Sequence, residues 1–282
     1  MQKLAKIFLF TKDEGQLLDE WILYHGNLVG FDNLFICDHG SSEETLQVYE
    51  KYKNKGIHLK GVGERNFQNK WKILSAWMRE ESHDTKLLIP LDTDEFIVKR
   101  KVGSQNINAN LEEIIKYLED LPLKRTRYKF GNLIAAPIKT TYDDPLQEMI
   151  YFVPKEEGKG HKKSFYPGKF FIHTDQGNHT GKIIGEQNNT ISSLSLLHFE
   201  IRGEDQLREK LIRGAQGYKF HKHKKPICGR HWHVRWKKLH LANRLNKWYK
   251  EVMDKNNKCL SSMIENKSFA HTLTSLKNKE LT

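Results

Sequence analysis

The chain has 282 residues, with 47 Lys and Arg against 35 Asp and Glu, a formal charge of +12 at pH 7. The surplus is local: residues 1–217 carry 31 basic and 31 acidic side chains, residues 218–250 carry 11 and none, and residues 251–282 carry 5 and 4. This excludes the evenly basic coat of a nucleic-acid-packaging protein and directs any anionic partner mainly to residues 218–250. A hydrophobic content of 38% with 11% aromatic residues supports a packed core and excludes a disordered chain. Cys37, Cys228 and Cys259 share no regular spacing, so a disulfide framework is not expected and a reducing compartment is. The first apolar run, Ile7 to Phe10, is too short for a signal-peptide core or a membrane span, so a soluble, cytoplasmic protein is expected.

The predicted elements alternate. Leu4 to Phe10 suits a buried strand, and Leu17, Leu18, Trp21, Ile22, His25 and Leu28 recur at helical spacing behind it. A second strand, Asn33 to Cys37, ends at Asp38, where Ser41 and Glu44 have capping-box spacing and open a helix that stops at Gly56. Ile57 to Val62 is a third strand. Phe67, Lys70, Trp71, Leu74, Trp77 and Met78 mark a third helix, and Lys86 to Leu91 runs as a fourth strand into Asp92-Thr-Asp-Glu-Phe96. A helix follows near Asn110 to Asp120, then β-rich stretches at Tyr128 to Ile138, Lys169 to His173 and Ile191 to Ile201, and a helix over Glu204 to Ala215. The Lys-, Glu- and Gly-rich stretch from Lys155 to Lys163 reads as a mobile loop. Leu241, Leu245, Trp248, Tyr249 and Val252 give the basic segment an amphipathic helix. The expected class is α/β, an open and mostly parallel sheet with flanking helices, whose ligands bind beyond the carboxyl ends of the strands. The expected division is a domain over 1–217 and a basic C-terminal helical appendage over 218–282.

The strongest chemical signal lies at one such end. Along a strand, side chains two apart point the same way, so Asp92 and Asp94 can present their carboxylates side by side while Thr93 faces away. Two adjacent carboxylates favour a hard divalent cation between them, Mn²⁺ or Mg²⁺, which takes oxygen ligands and commonly shares them with phosphates. The plainer reading is a solvated acidic turn.

Several blocks together carry a resemblance. Lys12-Asp-Glu14, Leu18-Asp-Glu-Trp-Ile22, Tyr24-His25, Gly30-Phe-Asp-Asn33 and Asp38 with Ser41-Ser42 resemble the opening of GT-A glycosyltransferases related to family 92 and the family 2-like group. Asp92-Thr-Asp-Glu-Phe96 is similar to their Asp-x-Asp metal motif. Leu197-His-Phe199, Arg202, Lys210 and Gly214 resemble a later His-Tyr block, with Phe199 in place of the usual Tyr. The resemblance spans about residues 5–217 and implies a Rossmann-like GT-A fold. It also implies a nucleotide-diphosphate-sugar donor, a UDP-sugar foremost, a Mn²⁺ or Mg²⁺ ion, and a hydroxyl acceptor on a glycan or a lipid-linked carrier. If the chain follows family 92, transfer proceeds with inversion. It further implies that Asp94 ligates the ion, that Asp92 holds the ion or the donor ribose, that His198 is the third ligand, and that Asp38 with Thr11, Lys12 and Glu14 sits at the nucleoside.

An inverting transfer needs a base for the acceptor hydroxyl. Asp175 and His179, in a glycine-containing turn, and Glu200 beside His198 are the candidates, against the plainer reading of turn residues. Within 218–250, His221, Lys222 and Lys224 suit a lid over the donor diphosphate. The stretch from about Val234 suits peripheral contact with an anionic membrane, and the whole segment suits phosphate contacts and base stacking, or simply a solvated basic helix. A nucleic-acid partner leaves the acidic turn unexplained and is not expected. Cys228 with His231 and His233 fits no standard zinc spacing. A metal-dependent phosphohydrolase or nuclease, with Asp92 and Asp94 activating water, is the rival enzyme class.

Overall fold

The computed structural model describes residues 2–63, 69–101, 103–155, 162–185, 188–217, 233–234, 237 and 244–280. The chain divides into two compact units, one of residues 1–133, 154–198 and 268–282, the other of residues 134–153 and 199–267. The expected boundary at 217/218 coincides with no edge of either unit.

The first unit is built on strands β1 (Lys3–Thr11), β2 (Leu34–Asp38), β3 (His58–Gly61) and β4 (Thr85–Leu91), all parallel, in the order β3, β2, β1, β4. Nearly every residue of β1, β2 and β4 is buried, as a parallel sheet covered on both faces requires. Alternate residues serve opposite faces. Phe8 and Phe10 of β1, with Phe35 and Cys37 of β2, pack against Leu74, Trp77 and Met78 of helix α3 (Lys70–Glu80). Phe8 and Phe35 stack at 5.0 Å, and Trp77 meets Phe35 edge-on at 5.2 Å. Such pairs contribute roughly 0.5–1.5 kcal/mol each beyond the area they bury.

Helix α1 (Gly15–Val29) is buried on most of its circumference, and α2 (Glu43–Lys53) buries only Thr45, Tyr49 and Tyr52. The N-cap of α2 is Ser42, one residue beyond the predicted Ser41, and makes no side-chain cap bond. Ser41 is engaged elsewhere, since its hydroxyl accepts from the Asp13 N–H at 3.0 Å. The second departure lies after β4. Residues 92–94 form a turn, not a strand, and β5 (Glu95–Lys99), which no predicted strand covers, then runs antiparallel to β11 (Asn188–His198), which overlaps the predicted β-rich stretch Ile191 to Ile201. Helix α4 (Leu111–Asp120) has Asn110 as its N-cap, accepting from the Glu113 N–H. Strand β6 (Thr126–Ala135) pairs with β11 and, antiparallel, with β8 (Ser164–Pro167), which in turn pairs antiparallel with β4.

The second unit includes the short helix α5 (Pro145–Glu148), β7 (Tyr151–Pro154) up to Val153, α6 (Glu204–Gly217), α7 (Arg244–Lys258) and β12 (Ile264–Glu265), the last antiparallel to β7. Its core joins Ile201, Leu207 and Leu211 to Leu245 and Tyr249, the latter two from the predicted amphipathic stretch. Tyr249 also donates to the Lys139 carbonyl at 2.8 Å. The last helix, α8 (Ser268–Glu280), belongs to the first unit, where Phe269 packs on Tyr24 and Phe96, and Lys277 pairs with Glu20. A small sheet of β9 (Phe171–His173) and β10 (Lys182–Ile183) flanks a turn over 174–180. The mobile loop expected over 155–163 lies outside the described residues from 156 to 161. No helix of the described residues is long and apolar enough to cross a membrane.

Candidate functional site

The parallel register brings three strand ends to one edge of the sheet. Thr11 pairs with Asp38, and Leu9 pairs with Leu91, so the residues after Leu91 emerge beside Thr11. Thr93 and Thr11 are buried with their hydroxyls 2.9 Å apart, the Thr93 hydroxyl donating. At the end of β2, Asp38 Oδ1 accepts from the Gly40 and Ser41 N–H groups at 3.0 and 3.1 Å, and Oδ2 accepts from the Tyr49 hydroxyl at 3.0 Å. The chain leaves β1 through Asp13, a non-glycine residue at φ 51°, whose carboxylate accepts from the Ser42 N–H at 2.6 Å. That bond ties the first βα turn to the second. Lys12 and Glu14 are half-buried on the same turn. Thr11, Asp38 and the Asp92 turn are thus gathered where ligands of open α/β sheets bind.

The Asp92 turn is closed from within: the Glu95 N–H donates to the Asp92 carbonyl at 3.1 Å, and the Asp92 N–H donates to Glu95 Oε2 at 2.9 Å. In a turn, the period-two argument for side-by-side carboxylates no longer applies. Asp92 instead receives two ammoniums, Lys70 Nζ on Oδ1 at 2.5 Å and Lys163 Nζ on Oδ2 at 2.5 Å. Lys163 also lies 3.4 Å from Glu95 Oε2. Both lysine side chains are buried, at 9% and 7% exposure, while Asp92 is 34% exposed, so the trio opens to solvent on its carboxylate side. Burial alone would raise the Asp92 carboxyl; the charges of Lys163 and Lys70 outweigh it and hold the group well below the usual carboxylate range. Burial would lower Lys163, but Asp92 and Glu95 hold it above the usual lysine value. Glu95 goes the other way, raised by burial and by the charges of Asp92 and Asp94 against the opposing pull of Lys163.

Asp94 meets His198, whose Nε2 lies 3.4 Å from Asp94 Oδ2. The antiparallel ladder sets this pair, since His198 at the end of β11 stands opposite Glu95 at the start of β5. Carboxylate is a ligand type that suits Mn²⁺ or Mg²⁺, and imidazole one that suits transition-metal ions, so Asp94 fits one position of such an ion and His198 a second where the ion is a transition metal. Asp92 does not fit a third. A dication on its carboxylate would lie close to both ammoniums, and the repulsion from each at roughly 4 Å is about 8 kcal/mol at an effective dielectric of about 20. Among the described residues, no group of three or more His, Cys, Asp or Glu side chains is arranged to hold a metal ion.

The candidate bases fall in two places. Asp175 is committed to its own turn: Oδ1 accepts from the His179 N–H at 2.6 Å and Oδ2 from the Thr180 hydroxyl at 2.8 Å. Burial would raise its carboxyl, but these bonds bring it below the usual range and make it a weaker base. His179 is half-buried in the same turn. The turn is fastened beside both lysines. Ser75 of α3 accepts from the Thr174 N–H at 3.0 Å, and Ser164, next to Lys163, donates its N–H to the Asn178 carbonyl at 2.8 Å and its hydroxyl to the His179 carbonyl at 2.7 Å. Glu200 belongs to the second unit, where its carbonyl accepts from Lys210 at 3.1 Å. His221, Lys222 and Lys224, the predicted lid, and Cys228 with His231 lie outside the described residues.

Sequence reasoning misses Lys70, Lys163 and Glu95 as site residues. Glu95 is legible in the Asp-Glu-Phe run, but the two lysines sit 22 and 71 residues from Asp92, and no spacing rule joins them.

No protein-family model matches the chain, and no curated protein matches it. Among solved structures, it is similar to S. aureus TarS, with TM-score 0.39 and 12% identity over 86% of this chain and 44% of that one. It is also similar to the 1-349 piece of S. aureus TarS, with TM-score 0.40 and 12% identity over 89% and 73%. A cytidylyltransferase from Leptospira borgpetersenii serovar Hardjo-bovis (strain JB197) follows at TM-score 0.30 and 8% identity over 60% and 62%. The chain thus spans less than half of the first of these TarS chains. At these scores the likenesses carry no argument about chemistry.

Proposed function

We propose that this chain is a glycosyltransferase that moves a sugar from a nucleotide-diphosphate donor to a hydroxyl of a glycan or lipid-linked acceptor, with inversion. The observation that carries the reading is the meeting of Thr11, Asp38 and the Asp92–Asp94 turn at the carboxyl ends of three parallel strands, with His198 delivered to Asp94 by an antiparallel ladder. The donor's nucleoside lies along the Thr11–Glu14 and Asp38 turns, and its diphosphate lies at the Asp92–Asp94 turn. The leaving group is a diphosphate anion, so the chemistry needs preorganised positive charge there. The acceptor hydroxyl's proton passes to His179; Asp175 is the poorer base because its carboxylate is already satisfied by its own turn.

A screen of UDP-, GDP- and CDP-sugars by thermal shift, followed by measurement of nucleotide release, tests the reading. A donor at a hundred times its Kd stabilises the native state by about 2.7 kcal/mol, which raises the midpoint by roughly 5 °C in a chain of this size. One nucleotide class should shift the midpoint and be hydrolysed slowly without acceptor. No shift and no release with any donor would refute glycosyl transfer.

A further inference from the structure

Two buried lysines converge on one carboxylate at the ligand-binding edge of the sheet, Lys70 from the first turn of α3 and Lys163 from the residue before β8. A buried ammonium is costly unless paired, and Asp92 pairs both. A structural clamp alone does not call for this layout. Two cations are placed on a carboxylate that is itself a third exposed, where the strand ends already gather Thr11 and Asp38. Each ammonium has three N–H donors; Asp92 engages one on each, and Glu95 Oε2 stands 3.4 Å from Lys163 as a weaker second partner. The 174–180 turn, fastened to α3 by the Ser75–Thr174 bond and to Ser164 by two bonds, fixes the spacing of the two lysine-bearing segments.

Building on the glycosyl-transfer reading, we propose that Lys70 and Lys163 are the diphosphate-binding cations of this chain, held on Asp92 until a nucleoside diphosphate enters, so that the anion is bound without a divalent ion. Asp92 then acts as the holder of the two ammoniums and not as a metal ligand. The donor's diphosphate oxygens take up the remaining N–H donors, and charge is supplied from within the chain at the position where the resemblance implies a metal.

The test is calorimetric titration of UDP, GDP and CDP into the full chain, in EDTA and in Mn²⁺, for the wild type and for Lys70→Met, Lys163→Met, Lys163→Arg and Asp92→Asn. The expected result is one nucleoside diphosphate that binds in EDTA within about threefold of its affinity in Mn²⁺. Each Lys→Met change should weaken that binding at least tenfold in EDTA, and Lys163→Arg should keep most of it. Binding that requires Mn²⁺ and is unmoved by either Met variant overturns the proposal while leaving glycosyl transfer standing. Absence of binding by every nucleoside diphosphate in both buffers overturns the glycosyl-transfer reading itself, and this proposal with it. Should a Met variant fail to fold, the wild type still decides, since loss of its binding in EDTA is refutation enough.

Discussion

Lowering the pH should destabilise this protein through one residue of the resemblance that has become core. His25 is wholly buried in α1, its ring stacked on Phe96 at 5.6 Å and tilted against Trp21 at 4.5 Å. Its Nδ1–H donates to the Trp21 carbonyl at 3.0 Å, and Nε2 meets no hydrogen-bond partner among the described residues. A proton on Nε2 would be a charge in an apolar pocket, so burial pushes the imidazole from its usual 6.5 down to about 3, against a small upward pull from the Trp21 bond. The sign follows. The unfolded chain takes up the proton below about pH 6.5 while the native one refuses it until about pH 3, so stability is lost as pH falls through that window. At 1.36 kcal/mol per unit, the two units between 6.5 and 4.5 amount to roughly 3 kcal/mol. Urea unfolding followed by tryptophan fluorescence at pH 7.5 and 4.5, for the wild type, His25→Phe and His25→Gln, isolates this term because all other titrations are common to the three. The wild type should lose roughly 3 kcal/mol more than either variant. An equal loss, within about 0.5 kcal/mol, would refute the argument.

Three further outcomes are expected. Tyr49→Phe leaves Asp38 Oδ2, buried at the strand end, without its hydroxyl donor and should cost about 1–3 kcal/mol in urea unfolding; a neutral change would mean that the Asp38 turn is held by its two backbone bonds alone. Gly168→Ala would bring a Cβ to 2.2 Å from the Thr85 carbonyl and 2.8 Å from that of Ser82, costing about 3 kcal/mol or preventing folding. By contrast Gly214→Ala in α6 meets nothing within 4 Å and should stabilise by about 0.5–1 kcal/mol.

What the sequence disclosed follows from what each feature depends on. β1, β2 and β4 are read correctly because a strand buried on both faces must be a short, nearly continuous apolar run, and Leu4 to Phe10 and Lys86 to Leu91 are such runs. Thr11, Asp38 and Asp92 are legible as site candidates for the same reason: a parallel sheet exposes its strand ends, and polar residues directly after apolar runs mark them. The capping residue of α2 is missed by one position because Ser41 and Ser42 are chemically alike, and only the distant Asp13 N–H decides which of them is used otherwise. Strand β5 is missed because its partner, β11, begins about ninety residues later, and its apolar Phe96 to Val98 is as compatible with a helix as with a strand. α8 falls within the expected basic appendage because its neighbours are basic, whereas Phe269, Ala270, Leu273 and Leu276 give it a buried face.

The largest gap concerns charge. Composition along the chain draws attention to residues 218–250, where 11 bases stand unopposed, and away from residues 1–217, where 31 bases and 31 acids cancel. Yet the cations that reach the Asp92 turn come from the cancelled part. A sum over a segment cannot report this, because the electrostatics of a site are set by separations of a few ångströms and by burial, and not by totals. Lys70 and Lys163 count the same as Lys53 in any sequence tally. Lys53 is 68% exposed and pairs with Glu50 three residues away on its own helix, a contact of small effect. Lys70 and Lys163, at 9% and 7% exposure, act in a medium that magnifies charge. It is burial at the strand ends, supplied by α3 packing on the sheet and β8 pairing within it, that turns two ordinary lysines into candidates for binding a diphosphate.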